Sequence, residues 1–225
     1  MLCGQGVIAI WNGIAEETRA EFYAWHMSEH MPERVGIPGF LRGRRYRAID
    51  QTTHPEFFTL YELHSFEVAT GQDYLNRLNA PTPWTRKVTA AFRDTSRALA
   101  RVLVTVGPGP GGVLATLRFT VPSAGGSTLS TALRDLIHEI VQLPMISGAH
   151  LAASNVHASN LRTAESETRA DIQAPPDRFV LIEACAPEAL DEPIRRLENS
   201  GCILHPIIGR YVNEYSRLKT DWGPG

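Results

Sequence analysis

The sequence has few cysteines, no long apolar segment and almost no net charge. Its three cysteines, Cys3, Cys185 and Cys202, are odd in number and lack C-x-x-C spacing, so neither a disulfide framework nor a zinc ribbon is expected. No apolar run approaches the roughly 20 residues that cross a membrane, and the N-terminus lacks the regions of a secretory signal. These absences predict a cytoplasmic protein with no membrane partner.

The formal net charge of −2 argues against a nucleic-acid partner, because a phosphate backbone is bound by a clear basic excess. One local cluster departs from this balance and contains Arg42, Arg44, Arg45 and Arg47. Since side chains alternate along a strand, one pair lies on each face. We interpret Arg42 and Arg44 as residues of surface ion pairs, whereas Arg45 remains a candidate for binding an anionic small molecule.

A Gly-Pro-Gly-Pro-Gly run at 107–111 divides the sequence near its midpoint and is predicted to be a linker. The periodic segments have the same order on both sides. This order predicts two tandem β-α-β-β-α-β units of the ferredoxin-like type, at residues 1–106 and 112–225. In the first unit we predict strands at 7–11, 41–49, 57–64 and 93–106, and helices at 16–31, 66–78 and 82–91. In the second we predict strands at 113–121, 149–157, 178–184 and 207–218, and helices at 128–141 and 187–199.

Residue matches extend the repeat beyond the order of its elements. Residues 55–62 parallel residues 176–183, with Pro, an acid, Phe, Leu and Glu in register. Glu62 and Glu183 are equivalent in the two copies, which favours a structural role for both. The loop before the third strand is longer in the second copy, at 158–175, and its polar, Ala-rich sequence predicts a mobile insertion.

A ferredoxin-like unit covers only one face of its sheet with helices, so the other face needs a partner. Two tandem units can pack their bare faces together and form a dimeric α/β barrel within one chain. Separate domains on a linker would instead leave two apolar faces exposed. We therefore predict an α+β fold in which both repeats form one intrachain barrel.

The segment His26-Met-Ser-Glu-His30-Met-Pro32 contains the strongest candidates for chemistry. It places two histidines one helical turn apart, and Pro32 is predicted to end the helix. H-x-x-E-H is also the zinc motif of one metallopeptidase group, with the histidines as ligands and Glu29 as the base. On a helical wheel, however, Glu29 points roughly 80–100° away from them. Metal-dependent hydrolysis is therefore the weakest alternative, and no metal is predicted.

Residues 25–33 (WHMSEHMPE), 37–40 (IPGF) and 44–46 (RRY) resemble the EthD-like branch of the dimeric α/β-barrel superfamily. In that branch, a helix ending in an H-x-P-type motif is followed by a Pro-Gly-Phe turn into the second strand. The match covers about residues 5–65, and the second half shares the architecture without the motif. The superfamily includes cofactor-free monooxygenases, muconolactone isomerases and haem-degrading or haem-binding enzymes. The resemblance therefore implies a fold more than a reaction.

His30 is the main catalytic candidate, because a neutral imidazole exchanges a proton near pH 7. Its predicted catalytic partners are Tyr23, on the same helix flank, and Arg45, which would bind a carboxylate or enolate oxygen. Four further residues are predicted to bind ligand, namely His26, Tyr61, Trp11 and Tyr46. The structural alternative makes His30 a cap of the last helix carbonyls and His26 a surface or interface residue.

The second repeat provides an internal comparison. Ala132 and Leu136 stand there at the positions of His26 and His30. Since the histidine pair is not part of the common repeat, we expect a pocket in the first half, with the second half as its lid.

The sequence is therefore compatible with two functional classes. The first is a small-molecule enzyme of the cofactor-free oxygenase or isomerase type, or a haem-using relative, and no bound cofactor is predicted. The alternative is a non-catalytic module that binds a small hydrophobic or anionic ligand, or that only dimerises. A homodimer is the protein assembly considered.

Overall fold

The computed structural model describes residues 1–121, 128–169 and 171–220. Its strands are β1 (Gly6–Ile14), β2 (Phe40–Ala48), β3 (Phe57–Leu63), β4 (Phe92–Val106), β5 (Val113–Phe119), β6 (Ile146–Ser154), β7 (Ile172–Gln173), β8 (Arg178–Ala184) and β9 (Ile207–Leu218). Its α-helices are α1 (Arg19–Trp25), α2 (Met31–Gly36), α3 (Gln72–Asn79), α4 (Pro83–Thr89), α5 (Thr128–Ile140), α6 (Val156–Ser159) and α7 (Asp191–Asn199). None of these helices is both long and apolar enough to span a membrane.

The strands form one closed barrel. Across the sheet the order is β4-β1-β3-β2 in the first half and β9-β5-β8-β6 in the second. The halves join where β2 pairs with β9 and where β4 pairs with β6, so that eight antiparallel strands of the described chain close on themselves. Each half is a ferredoxin-like unit, and the predicted intrachain α/β barrel is confirmed.

Alternate side chains of the strands fill the barrel interior. Trp11 packs against Phe58 and Phe179, with ring centroids 5.1 and 5.4 Å away, and its indole N–H donates to the Thr116 hydroxyl. Tyr46 is fully buried in the same cluster. Each buried aromatic side chain removes roughly 150–250 Å² from water. This apolar burial is the main force that holds the two bare sheet faces together.

A network of buried charges lies on the same inward faces of the strands. Arg42 donates two hydrogen bonds of 2.8 Å to Glu62. Arg44 contacts Glu62 at 2.9 Å and donates to Glu183 at 2.7 and 3.0 Å, and His150 lies 3.2 Å from the same carboxylate. The prediction that Arg42 and Arg44 form surface ion pairs is therefore wrong. Closure of the barrel turns their face of β2 inward, where one glutamate from each repeat compensates the charge.

The helix that contains the histidines differs from its prediction. A 3₁₀ turn at Glu16–Thr18 leads into α1, a π-helical turn follows at His26–His30, and α2 continues to Gly36. Pro32 therefore lies in the first turn of α2 and does not end the helix. In a regular helix a proline clashes with the carbonyl four residues earlier. Here the wider π turn precedes it, and the Met31 N–H bonds to the His26 carbonyl five residues back.

The insertion of the second repeat packs on the first repeat. We call residues 156–169 and 171–175 the strap, which contains α6, a 3₁₀ turn at Ser166–Thr168 and the short strand β7. β7 pairs in parallel with β4 at Thr95 and Ser96, and the Glu165 N–H donates to the Leu78 carbonyl at 3.0 Å. The prediction of a mobile insertion missed these contacts, because the partners of the strap lie in the other half of the chain.

Candidate functional site

We use the term cleft for the closed interface in which α1, α2 and α3 pack on the outward face of the first repeat's sheet. The π-helical turn places His26 and His30 in this cleft, with ring centroids 5.5 Å apart. The two residues are only 3% and 5% exposed, and neither Nδ1 atom has a hydrogen-bond partner. Buried polar atoms are normally paired, and π turns are frequent at functional sites. The pair is therefore the first structural indication of a site.

Both imidazoles are held in the neutral form at pH 7. Burial lowers the pKa of His30 well below its usual value, and the positive charge of Arg34 lowers it further. Burial also lowers the pKa of His26, with Arg45 and Arg34 adding to the effect. The His30 ring packs against Trp25 with the two rings tilted by 34° and their centroids 4.2 Å apart. A neutral imidazole has one donor and one acceptor nitrogen, so His30 is chemically able to accept a proton.

Tyr61 and Arg34 lie next to His30 in the cleft. The Tyr61 ring centroid is 6.4 Å from that of His30, and its buried hydroxyl has no hydrogen-bond partner. Burial raises the pKa of Tyr61, so the phenol keeps its proton. Arg34 is 2% exposed and forms ion pairs with Glu165 of the strap and with Glu33. The cleft thus combines a proton acceptor, a hydroxyl donor and a fixed positive charge.

Tyr61 was predicted from the sequence, whereas Arg34 and Glu165 were not. Arg34 follows His30 by four residues, a spacing that places two side chains on neighbouring turns and was the available signal. Glu165 lies in the polar insertion, where no pattern distinguishes it from its neighbours. Glu165 can pair with Arg34 only because the strap packs on the first repeat, and this packing could not be predicted from the sequence.

Tyr23 and Arg45 form a second group at the flank of the cleft. The Arg45 guanidinium lies 4.5 Å from the Tyr23 ring centroid and 3.4 Å from the Glu214 carboxylate. The Tyr23 hydroxyl donates to the same carboxylate at 3.1 Å. The structure therefore brings these two predicted catalytic residues together, but their direct partner is Glu214 of β9. Arg45 acts on the charge state of His26.

Trp11 and Tyr46 lie on the opposite side of the sheet from His30. Both are packed among the aromatic side chains of the barrel interior. Of the four residues predicted to bind ligand, the structure places only His26 and Tyr61 beside His30.

Glu29 is turned away from the histidines. Its carboxylate accepts hydrogen bonds from the hydroxyls of Thr82 at 2.6 Å and Thr85 at 3.0 Å, which ties the π turn to α4. The Thr85 hydroxyl also accepts from the Trp25 indole N–H at 3.1 Å. Among the described residues, no group of three or more His, Cys, Asp or Glu side chains is arranged to hold a metal ion.

Two cavities open where the strap meets the first repeat. The basic cavity, of about 320 Å³, is lined by Thr95, Arg97, Ser159, Arg162 and Arg169 among others. The apolar cavity, of about 390 Å³, is lined mainly by side chains of the first repeat and the strap, including Phe66, Leu75, Leu78, Leu99 and His157. Arg97 and Leu161 belong to both walls, so the cavities are neighbours, and neither wall includes His26 or His30.

No protein-family model matches the sequence, and no curated protein matches it. Solved structures are similar to it in fold. An anthrone oxidase-like protein has a TM-score of 0.61 at 12% identity, with 95% of this chain and 92% of that chain covered. A candidate monooxygenase from Lactobacillus acidophilus NCFM has a TM-score of 0.58 at 13% identity, with 95% and 96% covered. A candidate chlorite dismutase has a TM-score of 0.55 at 9% identity, with 93% and 95% covered.

At these identities the similarity establishes the fold alone, which is that of the dimeric α/β barrel. It covers both repeats of this chain and not only the half that contains the histidines. It does not distinguish the EthD-like branch from others of the superfamily.

Proposed function

We propose that this chain is a small-molecule enzyme of the cofactor-free oxygenase or isomerase type, with His30 as its acid–base group. The observation that carries the proposal is the buried, neutral His30 with an unpartnered Nδ1, beside the unpartnered hydroxyl of Tyr61. The second repeat has Leu136 at the equivalent position. The names of the structural neighbours, anthrone oxidase-like protein and monooxygenase, support the same class.

The reaction begins with proton transfer. His30 takes a proton from an acidic C–H or O–H bond of the substrate, which leaves imidazolium and a substrate anion. Arg34 stabilises the anion through its charge, and the Tyr61 hydroxyl donates a hydrogen bond to the anionic oxygen. An isomerase returns the proton to another carbon. In an oxygenase, the substrate anion supplies the electrons that reduce dioxygen.

For a substrate to bind Arg34, its anionic group has to replace the Glu165 carboxylate. The Glu165 carboxylate of the strap is the partner that Arg34 holds in the buried cleft. A substrate carboxylate that replaces Glu165 would bring the substrate's acidic C–H bond close to His30. The strap is then the cover that excludes water from the proton transfer.

Solvent deuterium exchange tests this proposal, because both reaction types begin with the same proton transfer. The probes are anthrone and muconolactone, each incubated with the protein in deuterated, oxygen-free buffer and analysed by mass spectrometry. We expect exchange at the acidic C–H position of at least one probe, lowered about 100-fold or more in His30→Leu, as is typical for the loss of a general base.

The matched control is His138→Leu, because His138 is an exposed histidine on α5 of the second repeat. This variant should exchange like the unaltered protein. Exchange that is equally fast in His30→Leu, or no exchange of either probe above the buffer rate, would contradict the proposal. Oxygen uptake with anthrone then distinguishes an oxygenase from an isomerase.

A non-catalytic ligand-binding module is the second candidate, and the two cavities beside the strap favour it.

Membership of the EthD-like branch and a cytoplasmic homodimer are further parts of the proposal. The three free cysteines support a reducing compartment. Light scattering coupled to size-exclusion chromatography tests the dimer, for which a mass near twice 24.9 kDa is expected.

A further inference from the structure

Three residues that line the basic cavity each have a buried polar atom that lacks a partner. Thr95 is 1% exposed and lines the cavity, and its hydroxyl has no hydrogen-bond partner. The Nε atoms of Arg97 and Arg169, on the same wall, also lack partners. Buried polar groups normally have partners, so three unpartnered groups on residues of one cavity wall point to a ligand that satisfies them.

Positive charge is in excess around this cavity. Arg34, Arg97 and Arg169 all act on one buried carboxylate, that of Glu165. Glu165 pairs directly with Arg34 and Arg169, whereas no carboxylate of the described residues lies within ion-pair distance of Arg97. Arg162 adds a further, exposed guanidinium to the wall. An anion is therefore the ligand that the charges favour, and Arg97 is the group left to bind it.

The neighbouring apolar cavity limits what kind of anion fits. Arg97 and Leu161 line both spaces, and the wall of the apolar cavity also contains the buried side chains of Phe66, Leu78 and Leu99. An inorganic ion would leave this apolar surface uncovered. A ligand with a carboxylate at one end and a hydrocarbon body at the other would satisfy both cavities. Their volumes of about 320 and 390 Å³ suit a small molecule.

We propose that the strap and the first repeat together form a binding site for a small amphipathic carboxylate. Its carboxylate accepts hydrogen bonds from the Arg97 guanidinium and the Thr95 hydroxyl. Its apolar body lies in the neighbouring cavity against Leu78 and Leu99. The site is formed by β4 of one repeat and the insertion of the other, so its existence does not depend on the acid–base chemistry of His30.

Isothermal titration calorimetry with octanoate tests the site on the full chain. We expect octanoate to bind at least tenfold more tightly than acetate, which lacks the apolar body, and than 1-octanol, which lacks the carboxylate. Arg97→Gln should weaken octanoate binding about tenfold or more, since it removes a charged hydrogen-bond donor. Thr95→Val keeps the side-chain shape without the hydroxyl and should weaken binding about threefold to tenfold.

Arg101→Gln is the matched control. It removes an arginine from the same strand, but this side chain is exposed and pairs with Glu67. Its octanoate affinity should stay within twofold of the unaltered protein, and circular dichroism should show that every variant is folded. The proposal is overturned if octanoate does not bind at millimolar concentration, or if Arg97→Gln and Arg101→Gln bind it equally. Inorganic phosphate binding as tightly as octanoate would also overturn it.

Discussion

Arg34 of α2 and Glu165 of the strap form an ion pair whose two side chains are 2% and 4% exposed. The residues belong to different repeats, and each has a second partner, Glu33 for Arg34 and Arg169 for Glu165. Burial raises the pKa of Glu165, but Arg34 and Arg169 outweigh burial and hold this pKa below its usual value. The Glu165 carboxylate therefore binds the strap of the second repeat to α2 of the first repeat, next to the cleft.

Glu165→Gln removes this charge and keeps the shape of the side chain. Arg34 then stays buried with Glu33 as its remaining partner, so the free energy of unfolding should fall by about 3 kcal/mol. Urea denaturation followed by tryptophan fluorescence measures the change. Glu167→Gln is the control, because Glu167 lies on the same strap and is exposed. The control should change stability by less than about 0.5 kcal/mol. Equal midpoints for the two variants would contradict a stabilising role of the pair.

A double substitution separates the ion pair from the packing around it. Arg34→Met combined with Glu165→Leu should recover most of the stability that either single substitution loses, because an apolar pair of similar volume replaces two buried charges. Denaturation curves of the three variants complete the double-mutant cycle. If the double variant loses as much as both single variants together, the two residues do not stabilise the fold through each other.

The buried histidines should make stability depend on pH. The folded-state pKa values of His26 and His30 lie below the value of about 6.5 in an unfolded chain. The unfolded chain therefore binds more protons, so stability is fully present above about pH 6.5 and falls as the pH decreases below it. His30→Leu removes one of the two contributions. Guanidinium denaturation at pH 7.5, 6.5 and 5.5 should show a shallower decrease for this variant, and an unchanged slope would count against a neutral His30.

Local patterns predicted the repeat well, whereas contacts between the repeats were hidden from the sequence. The strands β8 and β9 have the predicted bounds, because alternation and flanking turns define them within a few residues. For Arg44, the sequence did not predict burial inside the barrel. Its alternation along β2 was correct, but which face lies inside the barrel depends on pairing with β9, more than 160 residues away. The same holds for the strap, whose partners lie on α2, α3 and β4 of the first repeat.

The π-helical turn could not be predicted from the sequence, for a different reason. Helical spacing placed His26 and His30 on one flank correctly, since they are four residues apart. Pro32 is incompatible with the interior of a regular α-helix. The sequence does not determine whether the helix ends before Pro32 or accommodates it through a wider π-helical turn. The choice depends on packing, because Glu29 and Trp25 are tied to Thr85 of α4.

Tyr61→Phe should separate stability from function. The Tyr61 hydroxyl is buried without a partner, so its removal should leave stability unchanged or raise it by about 1 kcal/mol. Tyr211→Phe is the contrast, because the Tyr211 hydroxyl donates to the Pro55 carbonyl at 3.1 Å, and its loss should cost about 1 kcal/mol. Thermal denaturation compares the two. If Tyr61 acts on the substrate anion, Tyr61→Phe also slows the reaction without loss of fold. A marked destabilisation by Tyr61→Phe would show that the hydroxyl has a partner after all.

Arg44→Met should change how the protein responds to acid. Burial raises the pKa of Glu183, but hydrogen bonds from His150 and Arg44 outweigh burial and lower this pKa to about 2. The folded-state pKa lies below that of an unfolded glutamate, about 4.3, so the stabilisation is present above about pH 4.3 and is lost as the pH falls towards 2. Its size is on the order of 3 kcal/mol. Arg44→Met leaves Glu183 with His150 and the Gly111 N–H, so its pKa should rise.

The variant should therefore be less stable than the unaltered protein at pH 7, and the difference should shrink as the pH falls below about 4. Urea midpoints between pH 3 and pH 7 measure this convergence. Arg47→Met is the control on the same strand, because Arg47 is exposed and its surface pair with Glu214 contributes less than about 1 kcal/mol. Curves for Arg44→Met and the unaltered protein that stay parallel down to pH 3 would mean that Arg44 acts through packing, since a charge effect on Glu183 has to disappear once the carboxylate is protonated.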